Sequence, residues 1–197
     1  CSSDLANQGF EVVADEAFTA DNNTNFSVQI QKAQDASAEL VFLPIYYQQA
    51  SLILVQAKQM GYEPDFFGCD GLDGLLTVEN FDTSLAEGIM LLTPFAADAQ
   101  DDLTKNFVTT YKEKYGDIPN QFAADAYDAV YAIKAAGEKA GITPDMDAST
   151  ICDKLKTAMT EVSVDGLTGL GMKWTADGEP EKAPKAVKIV DGVYNAM

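Results

Sequence analysis

The first half of the chain alternates short apolar runs with segments whose apolar residues recur at helical spacing. Four runs have the length and composition of strands: residues 10–18, 39–43, 64–69 and 88–94. The spacing of Phe26, Ile30 and Ala33 predicts one helix. Residues 46–60 predict a second helix, which ends at Gly61. Strands that alternate with helices in this way favour right-handed crossovers and a mostly parallel sheet flanked by helices, an α/β fold.

The second half changes character, because three successive segments have helical spacing with no strand between them. They cover roughly residues 103–116, 122–141 and 147–159. The chain then returns to β-structure over 167–175 and 186–190, each run being followed by an Asp-Gly turn. We therefore expect an organisational break near 94–98. We also expect the helices beyond it to expose apolar faces unless another chain covers them.

Charge and composition narrow the classes of function. Lysine and arginine total 13 against 31 aspartate and glutamate, which gives a formal net charge of −18, and the chain has no histidine and three cysteines. This charge repels phosphate backbones, so no nucleic acid is expected as a partner. Histidine, the commonest general base and metal ligand, is absent. The composition favours a non-enzymatic binding protein, although carboxylates alone can perform acid–base chemistry.

No cofactor and no metal are expected. The acidic clusters at 21–23 and 98–102 lack the spacing of a dedicated calcium loop, and we interpret them as solvated surface. The three cysteines are far apart in the sequence, which argues against a Cys-based metal site. Cys69 is interpreted as a small buried side chain, because no histidine is available to activate it.

Two candidate ligand-binding positions follow the ends of predicted strands. Tyr46 and Asp70 each come just after such an end, where open α/β sheets bind ligands. Ionised Asp70 can accept a charge-assisted hydrogen bond from an ammonium, worth about 1.5–3 kcal/mol, and Gly71 allows close backbone approach. The residues alone leave other interpretations open. Asp70 also suits a turn, Tyr46 suits packing at the rim, and Asp70 with Asp73 could serve a carboxylate-based hydrolase.

Six short stretches, in their order and spacing, resemble one known family. They are Phe26-Ser27, Leu43-Pro44-Ile45-Tyr46-Tyr47, Gly68-Cys69-Asp70-Gly71, Glu87-Gly88 with Thr93-Pro94, Ala126-Tyr127-Asp128-Ala129 and Gly166-Leu167-Thr168-Gly169. The chain resembles the extracellular ligand-binding proteins of ABC importers for branched-chain amino acids, which have the periplasmic-binding-protein type I fold. The match extends over nearly the whole chain.

The resemblance implies two lobes. Residues 1–94 and 184–197 would form the second, C-terminal lobe, and residues 95–183 would be the returning helical part of an incomplete first lobe. It also implies an amino-acid ligand, held in a cleft between the lobes and delivered to an ABC permease in the membrane. In the family, the equivalents of Tyr46, Asp70 and Gly71 contact the ligand from the second lobe. An aromatic matching Phe122 contacts it from the first, although Phe122 also suits a core position.

Several expectations follow from the resemblance. The protein would act outside the cytoplasm, and this chain by itself would bind its ligand weakly or not at all. Cys1 suits either a lipidated N-terminus or a truncation point, and we favour the truncation point. Uncovered helices make a homodimer or strand exchange plausible. A sensory or regulatory ligand-binding module of the same fold is the alternative function.

Overall fold

A computed structural model of the protein describes residue 5 and residues 7–197, so Cys1 lies outside the described residues. The chain divides into two compact units. The first runs to Leu92 and takes up Val187–Asn195, and the second comprises Thr93–Ala186 and Ala196–Met197. Among the helices described, none is both long and apolar enough to cross a bilayer.

The helices and strands follow the order that the sequence predicts in most places. In chain order they are α1 (Ser27–Asp35), β1 (Leu40–Leu43), α2 (Tyr47–Gln59), β2 (Asp65–Gly68), β3 (Met90–Thr93), α3 (Asp102–Tyr115), α4 (Gln121–Ala140), α5 (Ala148–Met159), β4 (Lys173–Trp174), β5 (Pro180–Glu181), β6 (Lys185–Val190) and β7 (Val193–Ala196). Short 3-10 turns occupy much of the stretch between β2 and β3.

The main sheet has five strands in the order β1-β2-β3-β6-β7. The β1–β2 and β2–β3 pairs are parallel, and Leu43 lies opposite Gly68 in the register. The rings of Phe42 and Phe67 stack across the first pair with centroids 5.9 Å apart. The predicted α/β class is confirmed.

A tight hairpin adds β7 to the sheet. Its two turn residues, Asp191 and Gly192, have φ angles of 52° and 70°. Two successive positive φ angles are the signature of a type I′ turn, whose twist matches that of the flanking antiparallel strands. The hairpin brings Tyr194 of β7 into the first unit, far in sequence from the residues that it contacts there.

The second unit contains the three helices that the sequence predicts. Asp101, Asn120 and Asp147 cap their first turns by accepting hydrogen bonds from backbone N–H groups. Gly116 and Gly141 end α3 and α4 in the left-handed conformation, as the positions of these glycines predict. Apolar clusters around Phe95, Ala124 and Leu167 and around Ala132, Val164 and Met172 form the core of the unit.

Helix α4 has a second apolar face that is not buried. Its buried face follows Ala124, Asp128, Ala132 and Ala136. On another side, Val130 is 65% exposed and Ile133 is 59% exposed, and Phe122 and Ala126 lie near them at helical spacing. We call Phe122, Ala126, Val130 and Ile133 the α4 stripe. A helix that is apolar on two sides has the pattern of an element packed between two layers.

The predicted strand over 10–18 is wrong. Residues 10–18 are described by the structure and form no strand. The segment packs on α1 through side chains instead: Phe18 meets Phe26 edge-on, and Lys32 pairs with Glu16 at 2.8 Å. Phe10 is 56% exposed. An apolar run becomes a strand only where a neighbouring strand offers a hydrogen-bonding ladder, and this segment has none along it.

One buried carboxylate fixes the fold of the second unit. Asp128, 5% exposed, accepts hydrogen bonds from the backbone N–H groups of Leu167 and Thr168 at 2.8 Å and from the Thr168 hydroxyl at 2.7 Å. A Cβ on Gly166 would lie 2.5 Å from the same carboxylate, so this position requires glycine. The Asp128 carboxylate therefore holds the turn at Leu167 and Thr168 against α4 through hydrogen bonds.

We expect Asp128→Ala to lower the free energy of unfolding by about 3 kcal/mol, because it leaves buried N–H groups without an acceptor. Asp125→Ala is the matched control, one turn earlier on the same helix. Its partly exposed pair with Lys182, 2.9 Å long, should contribute within about 1 kcal/mol. Urea unfolding followed by the fluorescence of Trp174, the single tryptophan, measures both. Equal losses in the two variants would contradict the assignment.

Candidate functional site

The parallel register brings the ends of β1 and β2 to one edge of the sheet. Leu43 and Gly68, the last residues of the two strands, lie opposite each other. Tyr46 comes three residues after the first of these ends, and Asp70 two residues after the second. The Tyr46 ring is 62% exposed and Asp70 is also exposed. Both side chains therefore follow the carboxyl ends of neighbouring strands, where parallel sheets bind ligands.

Gly71 packs the turn after β2 against the chain that leaves β1. A Cβ at this position would lie 2.4 Å from the Ile45 carbonyl oxygen and 3.5 Å from the Tyr46 Cα. Only glycine permits this approach without moving one of the two backbones. The approach brings the Asp70-Gly71 turn and Tyr46 together within the first unit.

The loop from Asp70 to Thr77, here called the site loop, has a defined conformation. It consists of two 3-10 turns, Asp70–Leu72 and Leu75–Thr77, joined by Gly74 with a φ of 111°. Two residues of the loop, Leu72 and Leu75, are fully buried. A Cβ on Gly74 would lie 3.0 Å from the ring of Tyr47, so the loop also rests on that aromatic side chain.

The acidic and thiol groups of the site have different environments. Asp73 is 6% exposed, whereas Asp70 is open to solvent. Burial, helped by the Asp70 carboxylate, raises the pKa of the Cys69 thiol, which therefore stays protonated near neutral pH. A protonated thiol is a poor nucleophile. No group of three or more His, Cys, Asp or Glu side chains within the described part of the chain could hold a metal ion.

Tyr194 contacts the site loop from β7, a role that no sequence pattern predicts. Its hydroxyl accepts hydrogen bonds from the N–H groups of Gly74 at 3.2 Å and Leu76 at 3.4 Å, and donates to the Leu72 carbonyl at 3.5 Å. Burial, with the nearby Asp73 carboxylate as a second cause, raises the pKa of Tyr194 to about 12. The strand pattern could have placed Tyr194 on the inner face, but not against this loop.

Phe122 belongs to the second unit. It is the second residue of α4, after Asn120, whose side chain accepts a hydrogen bond from the Ala123 N–H. Phe122 is 37% exposed on the α4 stripe, while the preceding Gln121 is fully buried. The first-unit residues Tyr46, Asp70 and Gly71 thus lie together, and Phe122 is carried by a different unit.

Comparisons with known proteins identify the family. The family described as periplasmic binding protein matches residues 2–192. A leucine-, isoleucine-, valine-, threonine- and alanine-binding protein of Pseudomonas aeruginosa is 31% identical over 133 residues, which is 68% of this chain and 35% of that protein. The chain thus spans about a third of the length of this curated relative.

Solved structures show the same relationship. The branched-chain amino acid transporter substrate binding protein LivJ of Streptococcus pneumoniae, in complex with isoleucine, is 26% identical with a TM-score of 0.78 over 99% of this chain and 54% of its own. A solute binding protein of R. palustris in complex with benzoate has a TM-score of 0.84 over 100% of this chain and 52% of its own, at 18% identity, which shows the fold alone. The chain belongs to the periplasmic binding protein family, with the type I fold of its branched-chain amino acid members.

Proposed function

We propose that this chain carries part of the amino-acid site of a solute-binding protein that serves an ABC importer outside the cytoplasm. The observation that supports this proposal is the exposed carboxylate of Asp70, on a glycine-containing turn packed against Tyr46 at the carboxyl ends of parallel strands. The protein would bind its solute without turning it over. Its role is then to deliver an amino acid with an apolar side chain to a membrane permease.

Each proposed residue meets a different part of the ligand. An amino acid carries an ammonium, which Asp70 would accept in a charge-assisted hydrogen bond. Gly71, packed against the Ile45 carbonyl, would hold the Asp70 turn beside Tyr46, and Tyr46 offers an aromatic face for apolar contact with a hydroxyl at its tip. Phe122 would contact the ligand side chain, a role that rests on the resemblance to the family. Binding would stabilise whichever conformation makes the most contacts with the ligand.

We further propose that the two units correspond to the two lobes of the family. Residues 1–94 and 184–197 would form the second, C-terminal lobe of the family, and residues 95–183 the returning helical part of an incomplete first lobe. The curated relative and both solved relatives are longer than this chain, which spans 35–54% of their lengths. Ligand groups other than the ammonium, the carboxylate above all, would then be met by parts that those relatives have and this chain does not.

The first prediction of this proposal is that L-leucine binds weakly, at millimolar concentration, and that its ammonium is what Asp70 recognises. Asp70→Ala should weaken binding at least tenfold, because a hydrogen bond between charged groups contributes about 1.5–3 kcal/mol. Titrations followed by ¹H–¹⁵N NMR measure the affinity, with the Gly71 amide as reporter. 4-Methylpentanoate, which has the same side chain and carboxylate but no ammonium, should bind at least tenfold more weakly than L-leucine.

Asp65→Ala is the matched control. Asp65 begins β2, at the opposite end of the strand from Asp70, and is likewise exposed. This variant should bind L-leucine like the unmodified chain. Equal binding of leucine and 4-methylpentanoate, or an equal effect of the two substitutions, would refute the assignment of Asp70 to the ammonium.

We also propose that two copies of the chain pair through the α4 stripe. Val130 and Ile133 expose more than half of their surface on one side of a helix whose opposite side is already packed. A second copy presents the same apolar stripe, so a two-fold arrangement would cover both at once. The formal charge of −18 on each copy opposes this pairing, and the opposition weakens as salt screens it.

Sedimentation equilibrium should therefore show a dimer whose fraction rises with sodium chloride concentration. The double substitution Val130→Lys and Ile133→Lys should give a monomer, because burying the new ammonium groups is unfavourable. Thr110→Lys, at an exposed polar position of α3, adds the same kind of side chain and should leave the dimer intact. A monomer at every salt concentration in the unmodified chain would exclude the dimer.

A further inference from the structure

The site loop is held by a side chain that lies 120 residues later in the sequence than the loop glycine it contacts. We propose that Tyr194 is a positioning residue for the amino-acid site, a role that rests on the function proposed above. Its hydroxyl, rather than its ring alone, fixes the conformation of the loop that carries Asp70 and Gly71. The last strand of the sheet thereby takes part in ligand recognition without touching the ligand.

The hydroxyl joins both turns of the loop. It accepts from Gly74 and Leu76, at and beyond the junction, and donates to the Leu72 carbonyl in the first turn. One oxygen thus bridges the two 3-10 turns where Gly74, in the left-handed conformation, joins them. Both amide N–H groups would lose this acceptor if the oxygen were removed, and such a loss is costly near the fully buried Leu72 and Leu75.

The effect reaches Asp70 through the first turn. That turn is closed by the Leu72 N–H, which donates to the Cys69 carbonyl at 3.1 Å, and by the Asp73 N–H, which donates to the Asp70 carbonyl at 3.0 Å. Leu72 therefore makes two hydrogen bonds: its N–H donates to the Cys69 carbonyl, and its own carbonyl accepts from the Tyr194 hydroxyl. When the hydrogen bond from Tyr194 is lost, the first turn can shift, and the Asp70 side chain shifts with it.

The position of β7 explains why such a contact is needed. The site loop follows β2, and β7 is three places further along the sheet, about 14 Å at the usual strand spacing. Residues 70–77 contain no strand, so the loop has no ladder to hold it in place. The protonated Tyr194 hydroxyl supplies the loop with a donor and an acceptor from β7. Deprotonation would remove the donor, and the pKa of about 12 shows that the neutral form is retained at neutral pH.

Tyr62 offers a matched control in the same unit. It is also half-buried, and its hydroxyl donates a hydrogen bond of 2.7 Å to the Ala38 carbonyl. Ala38 precedes β1 and Tyr62 precedes β2, so this bond lies at the amino ends of the strands, opposite the site loop. Tyr62→Phe removes one buried hydroxyl without acting on the loop.

The experiment compares Tyr194→Phe with Tyr62→Phe in the full chain. Amide hydrogen exchange in the native state is measured at Leu72 and Asp73, whose N–H groups close the first turn. We expect exchange there to be at least fivefold faster in Tyr194→Phe and unchanged in Tyr62→Phe. NMR titration should also show that the preference for L-leucine over 4-methylpentanoate falls at least threefold in Tyr194→Phe only, a change that a general loss of stability does not produce.

Three results would overturn the proposal. Faster exchange confined to Gly74 and Leu76 would mean that the hydroxyl acts locally and does not hold the Asp70 turn. Equal effects of the two substitutions would mean a general loss of stability. An unchanged ligand preference despite faster exchange would mean that the turn position does not govern recognition. A fourth result separates the two proposals: if the unmodified chain binds no amino acid, the recognition role of Tyr194 falls with the prediction of millimolar binding, while the exchange data still decide whether Tyr194 holds the loop.

Discussion

The close approach of Gly71 to the Ile45 carbonyl oxygen is the contact on which the candidate site depends. Parallel pairing brings the ends of β1 and β2 to one edge, but it does not determine how near the following turns lie to each other. A side chain at position 71 would meet the Ile45 oxygen at 2.4 Å and separate the two segments. Because position 71 has no side chain, a carboxylate and an aromatic ring share a short length of the sheet edge.

The site loop combines a backbone held by several contacts with an exposed carboxylate. Tyr47 lies beneath Gly74, Tyr194 bridges the two turns, and Leu72 fills the interior, while the Asp70 carboxylate stays exposed. A carboxylate at the surface avoids the cost of an uncompensated buried charge. The ligand ammonium proposed above would meet an acceptor whose position these contacts already set. Such preorganisation reduces the entropy lost on binding.

Helix α4 connects several features of the second unit. Its buried face holds the Asp128 carboxylate that fixes the turn at Leu167 and Thr168, and its other apolar face is the α4 stripe. The solved relatives are about twice as long as this chain. A helix with two apolar faces has the pattern of an element that is packed on both sides.

Local sequence patterns predict the helices, the parallel strands β1 to β3, and the order in which they occur. These elements have local causes, such as helical spacing, capping aspartates and terminal glycines. The sequence also indicates Tyr46 and Asp70, because both follow strand ends. The segment 10–18 was misread because an apolar run does not reveal whether a partner strand is available. Only the tertiary structure showed the contact of Gly71 with Ile45 and the bonds of Tyr194 to the site loop, because both depend on distances between segments that no local pattern encodes.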